Sequence, residues 1–578
     1  MTIDISHVPF SRYGSYYCFS EATDIWPQAP DERGVYLRTV IGRARAREIA
    51  RVELLDGGTP VPFTIEATPA LLRLEAAAGW VEICFAEPHV IYARGAGVEL
   101  ELTGKHKPIN YTFVFGIGER VARWIVSHCG TKFGVTATRG ELSLDCPWAT
   151  GGPKPWAREH SKLRFSPDGS GRFEAVLEAY RHSWKRRSYP LPFDDAVREV
   201  DAEFDAFVEA TPSVPADLAD LRKLAAYVNW SAVVGPEGSF RRPAMLMSKN
   251  WMTQVWSWDH CFNAIALSYA NPQLAWDQLM VQFDAQDEYG ALPDGHTDAG
   301  PSYIHCKPPI HGWTLLKMLE RTDWIGPAHL EELYPKLERW TRWWLEYRDD
   351  DEDGVPQYNH GNDSGWDNST IMIDGYAVEA PDLSAFMVIQ MEALAEVARR
   401  LGREADAKDW DAGAAAMLDR MLAHFRRGDR LVPLMSGSHA EIDSQSLIRY
   451  VPLILGNRLP VSVVRSMVDD LKSGFITDWG AATEHPASPH FLRYGHWRGP
   501  IWPPSSMLIV DGLEAAGEHE LALDLCRKYA GLVRKSGFCE KFDPLEGEEM
   551  ADRAYTWGSS VFLILAHDYL FNEESNRE

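Results

Sequence analysis

The sequence predicts a mainly α-helical protein with a β domain: an N-terminal β-sandwich followed by a C-terminal toroid of paired helices. Three observations lead there. Short alternating apolar runs punctuated by Gly, Pro, Asp and Asn fill residues 1–188. From residue 216 onward the apolar residues recur at i, i+3 and i+4 instead. The helical segments come roughly in pairs, separated alternately by short turns and by long loops rich in Gly, Pro and Trp. At 578 residues the chain exceeds one ordinary core. The expected division is a sandwich over 1–188, a helical linker over 189–215 and a helical domain over 216–575.

Taken in order, strands are predicted at Gly34–Gly42, Ile49–Leu55, Ala70–Leu74, Trp80–Phe85, His89–Ala93, Val98–Thr103, Tyr111–Gly116, Lys132–Arg139, Glu141–Asp145 and Arg172–Tyr180. Their spacing is that of a sandwich that props up a partner domain. Two proline breakers, around Pro190–Pro192 and Pro212–Pro215, bracket an amphipathic helix over Asp194–Glu209. Twelve helices follow: 216–234, 259–270, 272–288, 308–322, 327–348, 382–402, 404–426, 441–449, 460–470, 503–517, 518–535 and 556–571. The sixth ends on Arg399, Arg400 and the stop signal Gly402. Twelve helices in pairs imply six hairpins in a ring, with the long loops gathered at one end. No short repeat favours a solenoid.

Composition excludes several functions. Net charge is −25, which repels phosphate backbones and anionic membranes, so neither nucleic acid nor membrane is expected as a partner. The eight cysteines form no C-x-x-C pair, and no metal centre built on cysteine is supported. Met1–Gly14 has no basic and apolar leader, and no run of eighteen apolar residues appears. A cytoplasmic protein, monomeric or homo-oligomeric, is the expectation. The 22 tryptophans are unusual. Singly they read as core, but clustered in loops beside Asp, Arg and Gly they suit stacking on the apolar faces of sugars.

Those loops carry the chemistry. In Ser364-Gly365-Trp366-Asp367-Asn368-Ser369, glycine permits close approach to a ligand. The indole of Trp366 is expected to raise the Asp367 carboxyl pKa, as suits a general acid. Trp256-Ser257-Trp258-Asp259 opens a predicted helix, so Asp259 reads equally as an N-cap or as a ligand for sugar hydroxyls. His305, Lys307, His311 and Trp313 surround Pro308-Pro309 as the rim of a polar pocket. Arg498, between Trp497 and Gly499, suits either a substrate oxygen or a catalytic carboxylate. Glu540 precedes an Asp543-Pro544 turn, and a second carboxylate from another hairpin is what glycoside hydrolysis requires. Asp349, Asp351, Asp353 and Gly354 imitate the start of a calcium loop, but the twelfth position is His360 rather than Glu. A solvated turn is favoured there; no cofactor is required, and calcium is the one candidate ion.

Together these stretches resemble the α-toroid glycoside hydrolases of families 63 and 37, which include α-glucosidases, mannosylglycerate and glucosylglycerate hydrolases, and trehalases. The resemblance covers roughly 216–575. It rests on Trp258-Asp259 with Phe262, Lys307-Pro308-Pro309 with Gly312-Trp313, Ser364 to Ser369, Trp497-Arg498-Gly499-Pro500-Ile501-Trp502, and Glu540 with Phe542-Asp543-Pro544. It implies an (α/α)6 barrel, a small α-glycoside as substrate, and inversion with Asp367 as general acid and Glu540 as general base. It also implies that Trp258, Asp259, Trp366, Trp497 and Arg498 line the sugar subsite; Phe262, Lys307, Trp313, Trp502 and Trp557 join them as candidate binding residues. Asp363 stands where the family often has Glu, and Phe542 where it often has Tyr. Two other readings compete: an isomerase or epimerase using His305, His311, His485 or His496, and a non-catalytic glycan-binding protein.

Overall fold

The computed structural model describes residues 1–21, 33–42, 47–104, 111–147 and 160–572; the final residues of the expected toroid, 573–575, lie outside that set. The chain forms two compact units. The first comprises Met1–Glu209, Ala226–Gln254 and Thr297–Ala299, and the second Ala210–Ala225, Val255–His296 and Gly300–Glu578.

The first unit is a sandwich of two antiparallel sheets. One runs, in spatial order, Tyr17–Glu21, Val35–Thr39, Arg47–Asp56, Glu99–Gly104, Lys162–Ser166 and Glu141–Asp145, with Thr59–Val61 as a short hairpin arm. The other runs Phe113–Gly118, Val121–Val126, Thr131–Arg139, Arg172–Tyr180, Val90–Ala96, Gly79–Glu87, Leu72–Ala76 and Phe63–Ala67. Register explains the core. Val52 pairs with Leu102 and Leu102 with Leu163, so one buried row crosses three strands. The opposite face of those strands carries charge: Glu101 lies across from Arg164 and ion-pairs with it at 2.8 Å and with Lys162 at 3.0 Å. Helix α1 (Phe193–Glu209) buries Ala196, Val200, Phe204 and Phe207 on the strand Gly79–Glu87, leaving its acidic residues outward.

The remaining helices are α2 (Ala219–Ala232), α3 (Asp259–Leu267), α4 (Pro272–Phe283), α5 (His311–Arg321), α6 (Pro327–Tyr347), α7 (Pro381–Arg400), α8 (Glu404–Phe425), α9 (Val461–Asp470), α10 (Pro503–Ala515), α11 (His519–Ser536) and α12 (Thr556–Leu565). A 3-10 segment, Leu447–Arg458, completes the twelve. In the second unit α3, α5, α7, the 3-10 segment, α10 and α12 each pack on the next, and α12 returns to α3. This closed inner ring belongs to an (α/α)6 toroid. It is apolar nearly all round, as in α7, where Leu383, Phe386, Met387, Ile389, Leu394 and Val397 are all buried. Proline opens α7 and α10, where a missing N–H costs nothing.

One helix is displaced from its expected position. Residues 441–446 are extended, with Ser446 bridged to Glu484, and helical structure starts only at Leu447. Pro452 removes a donor inside that segment, and Gly456 breaks it at φ 54°. Among the described residues no helix is long and apolar enough to cross a membrane.

Candidate active site

The long loops that precede the inner-ring helices bring the unusual residues together. The loop before α7 is braced first. Asp363 is buried and accepts from Arg348 at 2.8 Å, Asn359 N–H at 3.0 Å and Cys306 N–H at 3.2 Å. Ser364 Oγ donates to Gly361 O at 2.7 Å and accepts from Trp366 N–H. A Cβ on Gly361 would lie 2.0 Å from the Asp367 carbonyl oxygen, so only glycine lets the 3-10 turn Gly361–Ser364 start against the Asp367 backbone. Gly365 has φ +76°, and a Cβ there would stand 2.7 Å from the Trp258 indole. The close approach expected at Gly365 is therefore to a tryptophan of this chain and not to a ligand.

Trp258 is one of five indoles in a continuous cluster. Trp497 and Trp502 stack at 4.0 Å with planes 6° apart. Trp366 lies 4.7 Å from Trp497, Trp557 5.5 Å from Trp502, and Trp258 5.9 Å from Trp497. Their polar edges are directed by hydrogen bonds: Trp502 Nε1–H to His496 O at 2.8 Å, and Trp557 Nε1–H to Glu540 O at 3.0 Å. Phe262 and Trp313 stand behind Trp258, 5.9 Å from each other, and Trp313 donates Nε1–H to Asp511 on α10. Both face the ring interior. Asp259 does not cap α3, whose N-cap residue is Trp258. Instead its buried carboxylate accepts from Tyr555 OH at 2.8 Å, and burial pushes its pKa up to about 7 against the pull of Tyr555 and Lys307. Lys307 is itself buried, 3.1 Å from Asp294, bonded to Asn362 and over the Trp256 ring. Arg498 donates Nε–H to His490 O at 3.1 Å; among the described residues it forms no ion pair with either candidate catalytic carboxylate.

The two carboxyls differ sharply. The Asp367 side chain is 38% exposed, whereas Glu540 is 3% exposed. Burial raises Glu540, and the Asp552 and Asp367 charges add to it; Lys541 and the Asp552 N–H offset only part, leaving the pKa at about 7. Asp367 goes the other way. Burial pushes it up, but the His496 hydrogen bond and the Lys307, His496 and His360 groups outweigh that and hold it below the usual aspartate value. The rise expected from its indole neighbour is overturned by these donors. His496, whose Nε2 lies 3.1 Å from Asp367 Oδ2, is the group that residue-by-residue reading undervalues. In the sequence it is one histidine among several.

The four histidines considered for isomerisation have different neighbours. His311 is buried on α5, His485 packs on Phe475, His305 lies against His360, and His496 serves Asp367. In the Asp349–Gly354 turn Asp349 accepts from Gly354 N–H at 2.9 Å and Asp353 N–H at 3.1 Å, Asp351 accepts from Gly437 N–H at 2.8 Å, and Asp349, Asp351 and Asp353 bring potential ligand atoms within 4.8 Å of one another. Asp353, Glu379, His424 and His439 bring potential metal-ligating atoms within 4.8 Å of one another, and so do His260, Cys261 and His311. In the first group, His424 Nε2 is already hydrogen-bonded to Glu379 at 2.6 Å.

Residues 252–558 match the family model described as the mannosylglycerate hydrolase MGH1-like glycoside hydrolase domain. A glucosylglycerate hydrolase of Mycolicibacterium hassiacum is 22% identical over 416 residues, covering 54% of this chain and 91% of that protein. The crystal structure of a GH63 mannosylglycerate hydrolase from Thermus thermophilus, in complex with Tris and D-glycerate, aligns with TM-score 0.51 at 19% identity, over 59% of this chain and 99% of that one. A bacterial glucoamylase complexed with acarbose aligns with TM-score 0.60 at 11% identity, over 99% of this chain and 94% of that one.

Proposed function

Since the chain belongs to the mannosylglycerate hydrolase MGH1-like glycoside hydrolases, we propose that it hydrolyses a small α-glycoside with inversion, with Asp367 as general acid and Glu540 as general base. The observation that carries this reading is the convergence of one half-exposed and one buried carboxyl, from loops far apart in sequence, beside a cluster of five indoles. Each is close enough for the Asp367 charge to act on Glu540. In an inverting site one carboxyl protonates the leaving oxygen while the other activates water on the opposite face, with about 6.5–9.5 Å between them. A glycosylglycerate is the substrate class that the relatives' names favour.

Turnover of glucosylglycerate, mannosylglycerate, trehalose, kojibiose and nigerose tests the substrate. Proton NMR of the first-formed sugar tests stereochemistry. A β-anomer from an α-glycoside supports inversion, and an α-anomer overturns it.

The proton's resting place favours one second reading, with the roles exchanged. In the free protein Glu540 holds its proton up to about pH 7 and Asp367 is ionised. Variants separate the two. A variant lacking the acid keeps activity on dinitrophenyl glycosides, which need no protonation, whereas one lacking the base is rescued by azide. We expect the first behaviour from Asp367→Asn and the second from Glu540→Gln; the reverse pattern exchanges the roles.

A further inference from the structure

Asp367 is the end of a hydrogen-bonded chain that the hydrolytic roles above do not use. Lys541 Nζ lies 2.8 Å from His496 Nδ1, and His496 Nε2 lies 3.1 Å from Asp367 Oδ2. Resting on the reading of Asp367 as general acid, we propose that His496 and Lys541 are a coupled pair of positioning residues that hold one oxygen of Asp367 and stabilise the charge it acquires on giving up its proton.

Donor and acceptor inventories fix the direction of the chain. A lysine ammonium only donates, so a charged Lys541 requires a bare Nδ1, and a neutral imidazole then carries its proton on Nε2. If the proton instead sits on the histidine, both ring nitrogens carry hydrogen and Nδ1–H donates to the neutral amine. In either distribution Nε2–H faces Asp367. The pair holds one positive charge and presents the same donor to the same oxygen. Oδ2 is thereby engaged, so in the productive form, where Asp367 has taken the proton that Glu540 holds in the free protein, that proton sits on Oδ1. When that proton passes to the leaving oxygen, the new carboxylate charge is met by a hydrogen bond backed by the lysine. Charge-assisted bonds of this kind are the stronger ones.

The surroundings hold the pair in place. Lys541 is 8% exposed and sits 4.9 Å above the Trp502 ring, whose edge also meets His496 at 4.9 Å. The Trp502 indole N–H fixes the His496 backbone at 2.8 Å. Lys541 directly follows Glu540; burial holds its amine below the ordinary lysine value, and the Glu540 and Asp367 charges offset only part of that. Other titratable groups acting on this neighbourhood are Lys307, His360 and Asp294 on Asp367, and Asp552 and Asp259 on Glu540. None of these is hydrogen-bonded to His496 among the described residues.

The test uses His496→Phe, His496→Gln and Lys541→Met, with Asp367→Asn as reference. Glutamine is the conservative replacement, because its amide oxygen accepts from Lys541 while its NH2 donates to Asp367. We expect His496→Phe to lower kcat by about 100-fold, within the range for a disabled general acid, with KM within about threefold. His496→Gln recovers most of that loss, and Lys541→Met costs about tenfold. The acid limb of the kcat/KM–pH profile, which reports the lower-titrating Asp367, moves to higher pH in His496→Phe and Lys541→Met. The loss is larger for natural substrates than for dinitrophenyl glycosides. The inference falls if both variants lose activity with an unmoved acid limb and an equal loss on both substrate types, which marks a structural role. It falls equally if both retain wild-type turnover. Failure of the underlying reading is separate: it appears as an Asp367→Asn variant that loses activity equally on dinitrophenyl glycosides and is rescued by azide, or that keeps wild-type kcat on natural substrates.

Discussion

Glu101 and Glu178 in the sandwich and Asp259 and Glu540 at the loop end of the toroid are buried to similar extents and behave oppositely. In the sandwich Glu82, Glu101 and Glu178 are 7%, 3% and 7% exposed. Each meets cations: Glu82 has Arg73 and Arg94, Glu101 has Lys162 and Arg164, and Glu178 has Arg187 with Tyr189 and Trp184. Burial alone pushes Glu101 and Glu178 up, but their partners hold both below the usual range. At the toroid, Asp259 and Glu540 are 1% and 3% exposed, and burial wins, taking both to about 7. The first arrangement satisfies charge; the second leaves it poised to change near neutral pH. Perturbed groups collected in one place mark chemistry. The sandwich has one counterexample: burial lowers the Lys249 amine to about 7, yet it is held by the Ser11 hydroxyl and the Val233 carbonyl, which fits a structural tie.

The largest test of this contrast is functional. Glu540→Gln and Asp367→Asn are each expected to lower kcat on natural substrates by about a thousandfold, in the range for general acid–base groups. Glu101→Gln in the sandwich should leave kcat unchanged. Steady-state kinetics on the three variants decides it, and an equal loss in all three would erase the distinction.

The second test is the pH dependence of stability. Asp259 and Glu540 rise from ordinary values of 3.8 and 4.5 to about 7 on folding. The native state therefore binds more protons than the unfolded chain between those values, and these groups lower stability as pH rises through that window. By linkage Asp259 contributes up to about 4 kcal/mol and Glu540 up to about 3 kcal/mol. Glu101 and Glu178 have the opposite sign: their lowered pKa adds stability above the unfolded value, lost as pH falls through the folded one. Urea unfolding from pH 4 to 8 should show a falling limb that Glu540→Gln flattens and Glu101→Gln does not.

Smaller again is the effect of Gly365→Ala. It places a Cβ against Trp258 at a left-handed backbone position and should cost about 2 kcal/mol. Activity should fall with it, because Asp367 is two residues away. The least effect is that of Glu101→Gln itself: about 1 kcal/mol, since Lys162 and Arg164 are about one-third exposed. Thermal unfolding ranks the two.

Much of this is legible in the sequence, and the failures have physical causes. Helices with one dominant period lie within a residue or two of expectation: 327–348 against Pro327–Tyr347, and 404–426 against Glu404–Phe425. The strand Tyr17–Glu21 escapes sequence reading because four of its five residues are buried, which erases the alternation that marks a strand. Residues 441–446 look helical because nothing local reveals that Ser446 bridges to Glu484. At the site, the motifs locate the indoles and both carboxyls. They do not yield the sign of the Asp367 shift, because that depends on His496, 129 positions away in the chain. Lys541 is an ordinary neighbour of Glu540 in the sequence, and only the fold sets it against His496.

The ring that closes where α12 meets α3 also has a consequence in time. During synthesis α3 leaves the ribosome some three hundred residues before its partner. Until α12 emerges, the apolar flank of α3 has no native cover, and Glu540, sixteen residues ahead of α12, has only just been made. Such long-range closure is slow and exposes sticky surface in the meantime. A nascent chain therefore carries Asp367 for a long interval without its partner. Truncation ahead of Glu540 and α12 should yield aggregation rather than partial activity.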